Sequence, residues 1–455
     1  MNPMKDIPVK KLMAKMGVPI ILSMMMQALY NIVDTIFVGN MGSNGELANN
    51  ALALVFPIQV LIIALGIGTG VGMNVMVSRC LGEGNREKAS LAAGVGKALA
   101  GVIFIIFFLF GIIGVRAYIS SQAKDPISAE MGIQYLRIVC MLSAGNIYFT
   151  VYEKLLQAHG RSKYSTIAQI AGALTNIVLD PILIYGLLGL PRLEVVGAAV
   201  ATVIGQFVSM FLGLYFHHKY DKEVSNHRKY IKLDWNTIKA IYAVGFPAII
   251  AQGLLSVMTY LLNIILGMMG QNMQTAYGIY YKIQQFIIFA AFGMRDAITP
   301  IISFAYGMQD QKRIRDGIKY GILYTLTIML IGTILLETLA APFAGVFGLS
   351  GETAQICETI MRIVALSFVF AGLNIAFQGI FQALDGGLQS LLISILRQFI
   401  LVIPVAYLFT KLAMNQTLPA YFIWVTFLFA EMITALLGWF MLKMHQRKVI
   451  LTSKN

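Results

Sequence analysis

The chain has 455 residues, of which 58% are hydrophobic and only 12% charged, and its mean hydropathy is +0.75. Soluble domains carry about a quarter of their residues as charges, so this composition excludes a soluble multidomain enzyme and requires a protein solvated by lipid. The formal net charge of +13 is spread over many short segments rather than gathered into one basic stripe, which excludes DNA or RNA as the partner.

A helix needs about 20 residues to cross the hydrocarbon. Runs of that length are predicted, in chain order, at 15–40, 47–78, 91–115, 131–158, 164–188, 194–216, 240–267, 275–306, 318–341, 354–383, 391–410 and 419–442. The expected fold class is therefore an all-α integral membrane protein with twelve transmembrane helices. Pro19, Pro57, Pro181, Pro247, Pro300 and Pro404 fall inside these spans, so several helices should be bent or tilted.

Lys and Arg accumulate in short cytoplasmic loops. With the N-terminus inside, 23 of the 34 basic residues fall in cytoplasmic segments, while Arg116, Lys124, Arg192 and Lys411 fall outside and the rest lie within spans. Both termini should then be cytoplasmic. The first span is too long for a signal-peptide core and no small-residue cleavage site follows it, so it reads as a retained helix. Cys80, Cys140 and Cys357 are odd in number and far apart, which implies no disulfide framework.

The chain repeats itself. "MGVP" (16–19) returns as "VGFP" (244–247) at a displacement of 228, and "LGEGNREKA" (81–89) aligns with "YGMQDQKRI" (306–314) at 225. Two pseudo-symmetric six-helix lobes follow, 1–216 and 240–455, joined by a cytoplasmic linker at 217–239. Six is an even number, so the two lobes enter the membrane in the same orientation, with a cavity expected between them.

Enzymatic motifs fail on context. "GIGTGVG" (66–72) lies within an apolar helix with no preceding strand, where small residues serve close helix packing. "GVGK" (94–97) lacks the spaced first glycine of a phosphate loop, so no ATP is expected. His159, His217, His218, His227 and His445 sit at cytoplasmic loops or helix ends, away from carboxylates at metal-ligand spacing, and read as solvated.

What remains are acids within the bilayer: Asp34, Glu153, Asp180, Asp296, Glu337 and Glu431. An ionised Asp at a helix centre costs about 3 kcal/mol on insertion scales, which makes each a functional candidate. Glu153 and Glu337 lie near span ends, where side chains reach the interface. Glu431 can pair with Arg397. Asp296 follows Arg295, but adjacent helical residues do not face one another. Asp34 and Asp180 stand at matched depth, roughly two turns from the outer surface. Asn176 lies one turn before Asp180, and Thr202 enters from the next span at the same depth. Asp34, Asn176, Asp180 and Thr202 thus form a candidate proton or hard-cation site, Na⁺ included.

"LYNIVDTIFVG" (29–39), "VSRCLGEGNREKA" (77–89), "LTNIVLDPILIYGLLGL" (174–190), "VGAAVATVIGQ" (196–206), "AYGIYYKIQQF" (276–286) and "PIISFAYG" (300–307) together resemble the multidrug and toxic compound extrusion family across nearly the whole chain. The resemblance implies two six-helix lobes forming a V-shaped central cavity, and a secondary antiporter that exports organic cations, drugs or other amphiphiles in exchange for H⁺ or Na⁺. In one branch of that family the cation site lies in the first lobe, and its residues match Asp34, Asn176, Asp180 and Thr202. Another branch uses acids in helices 7 and 10, but 240–267 and 361–383 contain neither Asp nor Glu.

Gln27, Asn31, Gln206 and Tyr277 either line the substrate pathway or satisfy one another by hydrogen bonds. The expected setting is the plasma (inner) membrane, with a monomer that needs neither ATP nor a cofactor beyond its coupling ion. The alternative is a lipid-linked oligosaccharide flippase of the same superfamily, which would need a cationic cavity for pyrophosphate. Basic residues central to the first, second, seventh and eighth spans are limited to Lys282 and Arg295.

The distribution of basic residues predicts that a Lys229→Cys protein is labelled by a membrane-impermeant thiol reagent only from the cytoplasm, and an Asn44→Cys protein only from outside. The reverse pattern would invert the topology.

Overall fold

The computed structural model describes residues 3–41, 45–123, 125–346 and 351–452. Asn44, Lys124 and Lys454 lie outside them, as do the side chains of Arg447 and Lys448. Every regular element among the described residues is helical. In chain order they are α1 (Pro3–Asp6), α2 (Val9–Gly39), α3 (Gly45–Gly82), α4 (Arg86–Ile113), α5 (Val115–Ser120), α6 (Pro126–Met141), α7 (Ala144–Ala158), α8 (Ser162–Tyr185) and α9 (Glu194–Tyr220). A short 3₁₀ turn at Arg228–Tyr230 precedes α10 (Trp235–Gly267), α11 (Gln271–Gly307), α12 (Gln311–Val346), α13 (Gly351–Ala365), α14 (Phe368–Ala383), α15 (Gly387–Ile395), α16 (Val402–Met414) and α17 (Phe422–Thr452).

Nine of these are long and apolar enough to cross a membrane, Gly387–Met414 (α15 with α16) makes a tenth span, and α13 with α14, bent by 54°, an eleventh. The expected span 354–383 is thus two helices rather than one. The span 131–158 is likewise divided, into α6 and α7 at Leu142–Ser143. Neither break contains proline or glycine, so sequence pattern does not mark them. At the α13–α14 break hydroxyls absorb freed backbone groups: Thr333 Oγ1 donates to the Ala365 carbonyl at 3.0 Å and Ser367 Oγ to that of Val364 at 2.6 Å. In lipid this compensation is obligatory, because no water replaces a lost helical bond. The span expected at 391–410 carries a π-helical segment, Leu396–Ile400, between α15 and α16. Pro404 leaves the carbonyl four residues earlier without its amide donor, and a π-bulge re-registers the ladder there.

The described chain forms two compact units, Met1–Ile7 with Leu22–Ile249, and Pro8–Ile21 with Ile250–Asn455. The repeat divides the chain at 216 and 240. Its packing instead assigns the start of α2 to the second unit and the start of α10 to the first. Glycines explain the exchange. In the first unit a Cβ at Gly68 of α3 would sit 2.6 Å from the Gly245 carbonyl, and one at Gly72 would sit 2.0 Å from that of Ile241. In the second unit Gly293 of α11 stands equally close to the backbone at Ile21, with its neighbour Met294 against Gly17. "GIGTGVG" is therefore a packing motif, and its contact with α10 is repeated between α11 and the start of α2.

The repeat is also written in hydrogen bonds. Ser78 Oγ donates to the Ala158 carbonyl at 3.4 Å, and Ser303 Oγ, 225 residues on, to the Ala383 carbonyl at 3.3 Å. Asn85 caps α4 through the Lys88 amide, and Asp310 caps α12 through the Arg313 amide, each at 3.0 Å.

The segment after α9 is fastened to the first unit, and here two histidine expectations fail. His218 and His227 are exposed as expected, but His159 and His217 are buried. His217 Nδ1 lies 2.8 Å from Asp221 Oδ2 and His159 Nδ1 lies 3.6 Å from it. Arg161 bridges Asp221 at 2.9 Å and Glu223 at 2.8 Å, while Lys97 reaches Asn226 and the far nitrogen of His217. Asp221 lies only four residues after His217, a local pairing the sequence reading overlooked, whereas His159 meets it from α7, 62 residues earlier.

Burial alone would push the Asp221 carboxyl up, but His159, His217 and Arg161 outweigh it and hold it below the usual carboxylate range. Such a group stabilises the fold above its unfolded value and loses that contribution as pH falls through its lowered folded value. Asp221→Asn should therefore cost about 1–3 kcal/mol at neutral pH, since Arg161 keeps Glu223 while it and His217 lose a charged acceptor. In unfolding measurements in detergent, its deficit against the wild-type protein should shrink only below about pH 4. A constant deficit down to strongly acid pH would contradict an ionised Asp221.

Candidate functional site

Three helices of the first unit build the site. α8 and α9 approach closely because glycines face each other: a Cβ at Gly205 would lie 2.6 Å from the Gly172 carbonyl and 3.1 Å from the Asn176 Cβ. That contact sets Asn176 against Thr202 one turn away on α9. Asn176 Nδ2 donates to Asp180 Oδ1 at 3.1 Å and reaches Thr202 Oγ1 at 3.5 Å. Asp180 is wholly buried and Asn176 nearly so. α2 contributes Asp34, whose charge acts on Asp180, and both acids act on Tyr30 and Tyr135. All four residues expected to hold the cation are thus in one neighbourhood.

The polar inventory does not close. Asp34 Oδ1, Asp180 Oδ2, Asn176 Oδ1 and Gln206 Oε1 are buried without a hydrogen-bond donor. A buried acceptor left unpaired costs about 1–3 kcal/mol. Four such oxygens in one part of a unit call for protons or a cation. Two carboxylates with amide and hydroxyl oxygens form a hard donor set, suited to H⁺ or Na⁺. Among the described residues no cluster of three His, Cys, Asp or Glu suits a transition metal.

Beside this group lies a cavity of about 90 Å³, lined among others by Gln27, Tyr30, Asn146, Asn176, Thr202 and Gln206. Gln27 and Gln206 therefore border the same space as the cation group. Asn31 does not: it is exposed on α2. Tyr277 belongs to the second unit, buried and stacked on Trp424 with ring centres 6.2 Å apart, and its hydroxyl has no partner.

Glu153, expected to reach the interface, instead lines the cavity. It accepts from Gln157 Nε2 at 3.0 Å and lies 3.9 Å from the buried Lys154 ammonium. Its helix begins only at Ala144, and it is turned inward against α3: Asn74 Nδ2 donates to the Lys154 carbonyl at 2.8 Å. Arg295 and Asp296 do pair, at 2.9 Å, because the long guanidinium stem folds back over Phe292 and returns to its neighbour. Glu431 and Arg397 pair as the sequence allowed, at 2.9 Å through Nε.

Sequence reading missed Gln59, Tyr30 and Tyr135. Gln59 Nε2 donates to Tyr135 Oη at 3.2 Å, beside the acids. A lone glutamine in the apolar run "FPIQVL" (56–61) carries the same signal as an intramembrane acid, only weaker.

The MatE family model matches residues 19–182 and 247–408, one match in each repeat. Over 404 residues the chain is 26% identical to the multidrug export protein MepA of Staphylococcus saprophyticus, covering 88% of this chain and 87% of that protein. A crystal structure of MATE in complex with MaL6 is 25% identical, with a TM-score of 0.89 over 98% of each chain. An outward-facing MATE family transporter of the MOP superfamily, at 24% identity and a TM-score of 0.90 over 98% and 97% of the two chains, shares the fold. With more than half of its length matched, in the same two segments that repeat each other, the chain belongs to the MatE family of membrane transporters.

Proposed function

We propose that this chain is a cation-coupled secondary antiporter of the plasma membrane, with both termini cytoplasmic, which exports organic cations, drugs or other amphiphiles by alternating access as a monomer. The single observation that carries the reading is the cluster of unpaired buried oxygens around Asp34 and Asp180 next to a polar-lined cavity. The export of multiple drugs named for the MepA relatives supports the substrate class.

In this reading Asp34 and Asp180 repel each other unless a proton or Na⁺ sits between them. Asn176 orients Asp180 by its amide donor and offers its free Oδ1, and Thr202 adds a hydroxyl oxygen. An occupied site favours one packing of α2 against α8 and α9, and a cationic substrate competing for the same negative charge favours another. Exchange follows from that competition, since a ligand shifts an equilibrium only through its differential affinity for the two states. A flippase would need uncompensated cations for pyrophosphate. Arg295 is engaged by Asp296, which counts against that alternative.

The test is uptake of a fluorescent organic cation into proteoliposomes under separately imposed pH and sodium gradients. Asp34→Asn and Asp180→Asn should each reduce gradient-driven transport more than about tenfold, with membrane insertion intact. The double variant should be no worse than either single, because groups acting as one unit are not additive. Glu337→Gln should retain most activity. Near wild-type transport by well-inserted Asp34→Asn protein would remove this residue from the mechanism.

A further inference from the structure

The second unit contains a smaller cavity, about 50 Å³, and it is the repeat image of the first. At the displacement of 228, Gln27 and Tyr30 become Leu255 and Met258. At 225, Ile63, Thr202 and Gln206 become Ile288, Phe427 and Glu431. All ten residues line their respective cavities. The oxygens of the cation group have no counterparts: Asp34, Asn176, Asp180 and Thr202 fall on Leu262, Leu401, Val405 and Phe427. One acid remains, Glu431, where the first unit has Gln206.

The decisive replacement is Gly172 by Arg397. In the first unit a glycine lets α8 and α9 touch and leaves the cavity open. In the second, the guanidinium stands in the equivalent cavity. It is buried, and its Nε lies 2.9 Å from Glu431 Oε1. Asn374 Nδ2 holds the other carboxylate oxygen at 2.7 Å. The π-helical segment at Leu396–Ile400 is the local distortion that carries Arg397. Around the pair, Asn374 Oδ1 and Gln398 Oε1 remain buried without donors.

We propose that the second unit's cavity, the repeat image of the first, holds a cation site built from its own residues and permanently filled by the Arg397 guanidinium, so that exchangeable cation binding is confined to the first unit. Glu431, Asn374 and Gln398 supply the oxygens of that site, and Arg397 is its tethered occupant. Removing the guanidinium should therefore expose a site for a free monovalent cation, Na⁺ or H⁺. The assignment of the first unit's site to the coupling ion rests on the function proposed above. The tethered occupant is tested without any transport measurement.

The experiment measures binding of radiolabelled sodium, and proton uptake on acidification, by full-length protein in detergent. The Asp34→Asn protein is the starting point: it should bind no sodium saturably, and the proton uptake of its other acids and histidines is the baseline. Adding Arg397→Met should restore saturable binding of one cation, and adding Glu431→Gln to that should abolish it again. A folded Arg397→Met protein that gains no cation over its parent overturns the proposal. So does a gain that survives Glu431→Gln. Binding that persists in Asp34→Asn alone would instead overturn the first-unit reading, and the increment on adding Arg397→Met still decides this one. Should Arg397→Met fail to fold with its acid stranded, the charge-balanced Arg397→Met with Glu431→Gln decides. In the otherwise wild-type chain it should fold and export within about twofold of the wild-type rate, as neutral replacement of a buried ion pair generally preserves stability. Failure of that variant to fold, or loss of its export, would make the pair part of the scaffold or of transport itself and overturn the proposal.

Discussion

Every polar group inside a bilayer must find its partner within the protein. That constraint organises the whole structure. Where α13–α14 and α15–α16 interrupt their helices, backbone groups lose their regular partners, and hydroxyls or a π-helical segment take up the difference. Several charges that enter meet opposite charges: Arg397 with Glu431, Arg295 with Asp296, Lys154 near Glu153. Other buried oxygens also lack donors, but Asp34 and Asp180 differ from them in being carboxylates, with Asn176 and Gln206 in the same unit.

The same constraint separates acids with a guanidinium partner from those without one. Glu431 and Asp296 each have a guanidinium within 3 Å, so their negative charge is cancelled in place. Asp180 has one amide donor and Asp34 stands nearby with the same sign of charge. A carboxylate pair of that kind is costly without a mobile cation, and a site that depends on its ligand for neutrality responds to the ligand's concentration. Tethering the cation, as at Arg397, removes that response. Under the proposal above, the two units carry repeat-related cavities in two electrostatic forms.

The segment joining the repeats is more than a tether. Asp221 sits among Arg161, His159 and His217, and Ser225 and Asn226 bond to α4 through Ser90 and Lys97. Glycine contacts do equivalent work within the membrane, holding α3 to the start of α10 and α11 to the start of α2. These contacts bind each unit internally and are repeated at the displacement of the sequence repeat.

Composition, span length and the spacing of basic residues were sufficient to establish a polytopic helical membrane protein, because hydrophobicity over about 20 residues is a local property of the chain. Asp34, Asn176, Asp180 and Thr202 were singled out as candidates for a related reason: a polar residue in an apolar run is conspicuous, and helical spacing assigns it a depth. Tertiary structure alone decided which polar residues are paired. It turned Glu153 into the cavity, buried His159 and His217 around Asp221, exposed Asn31 and placed Tyr277 on Trp424. It also broke two spans that no proline or glycine marks. The physical reason is that pairing depends on atoms from helices far apart in sequence, brought within about 3 Å by packing, whereas insertion into lipid depends on each helix by itself.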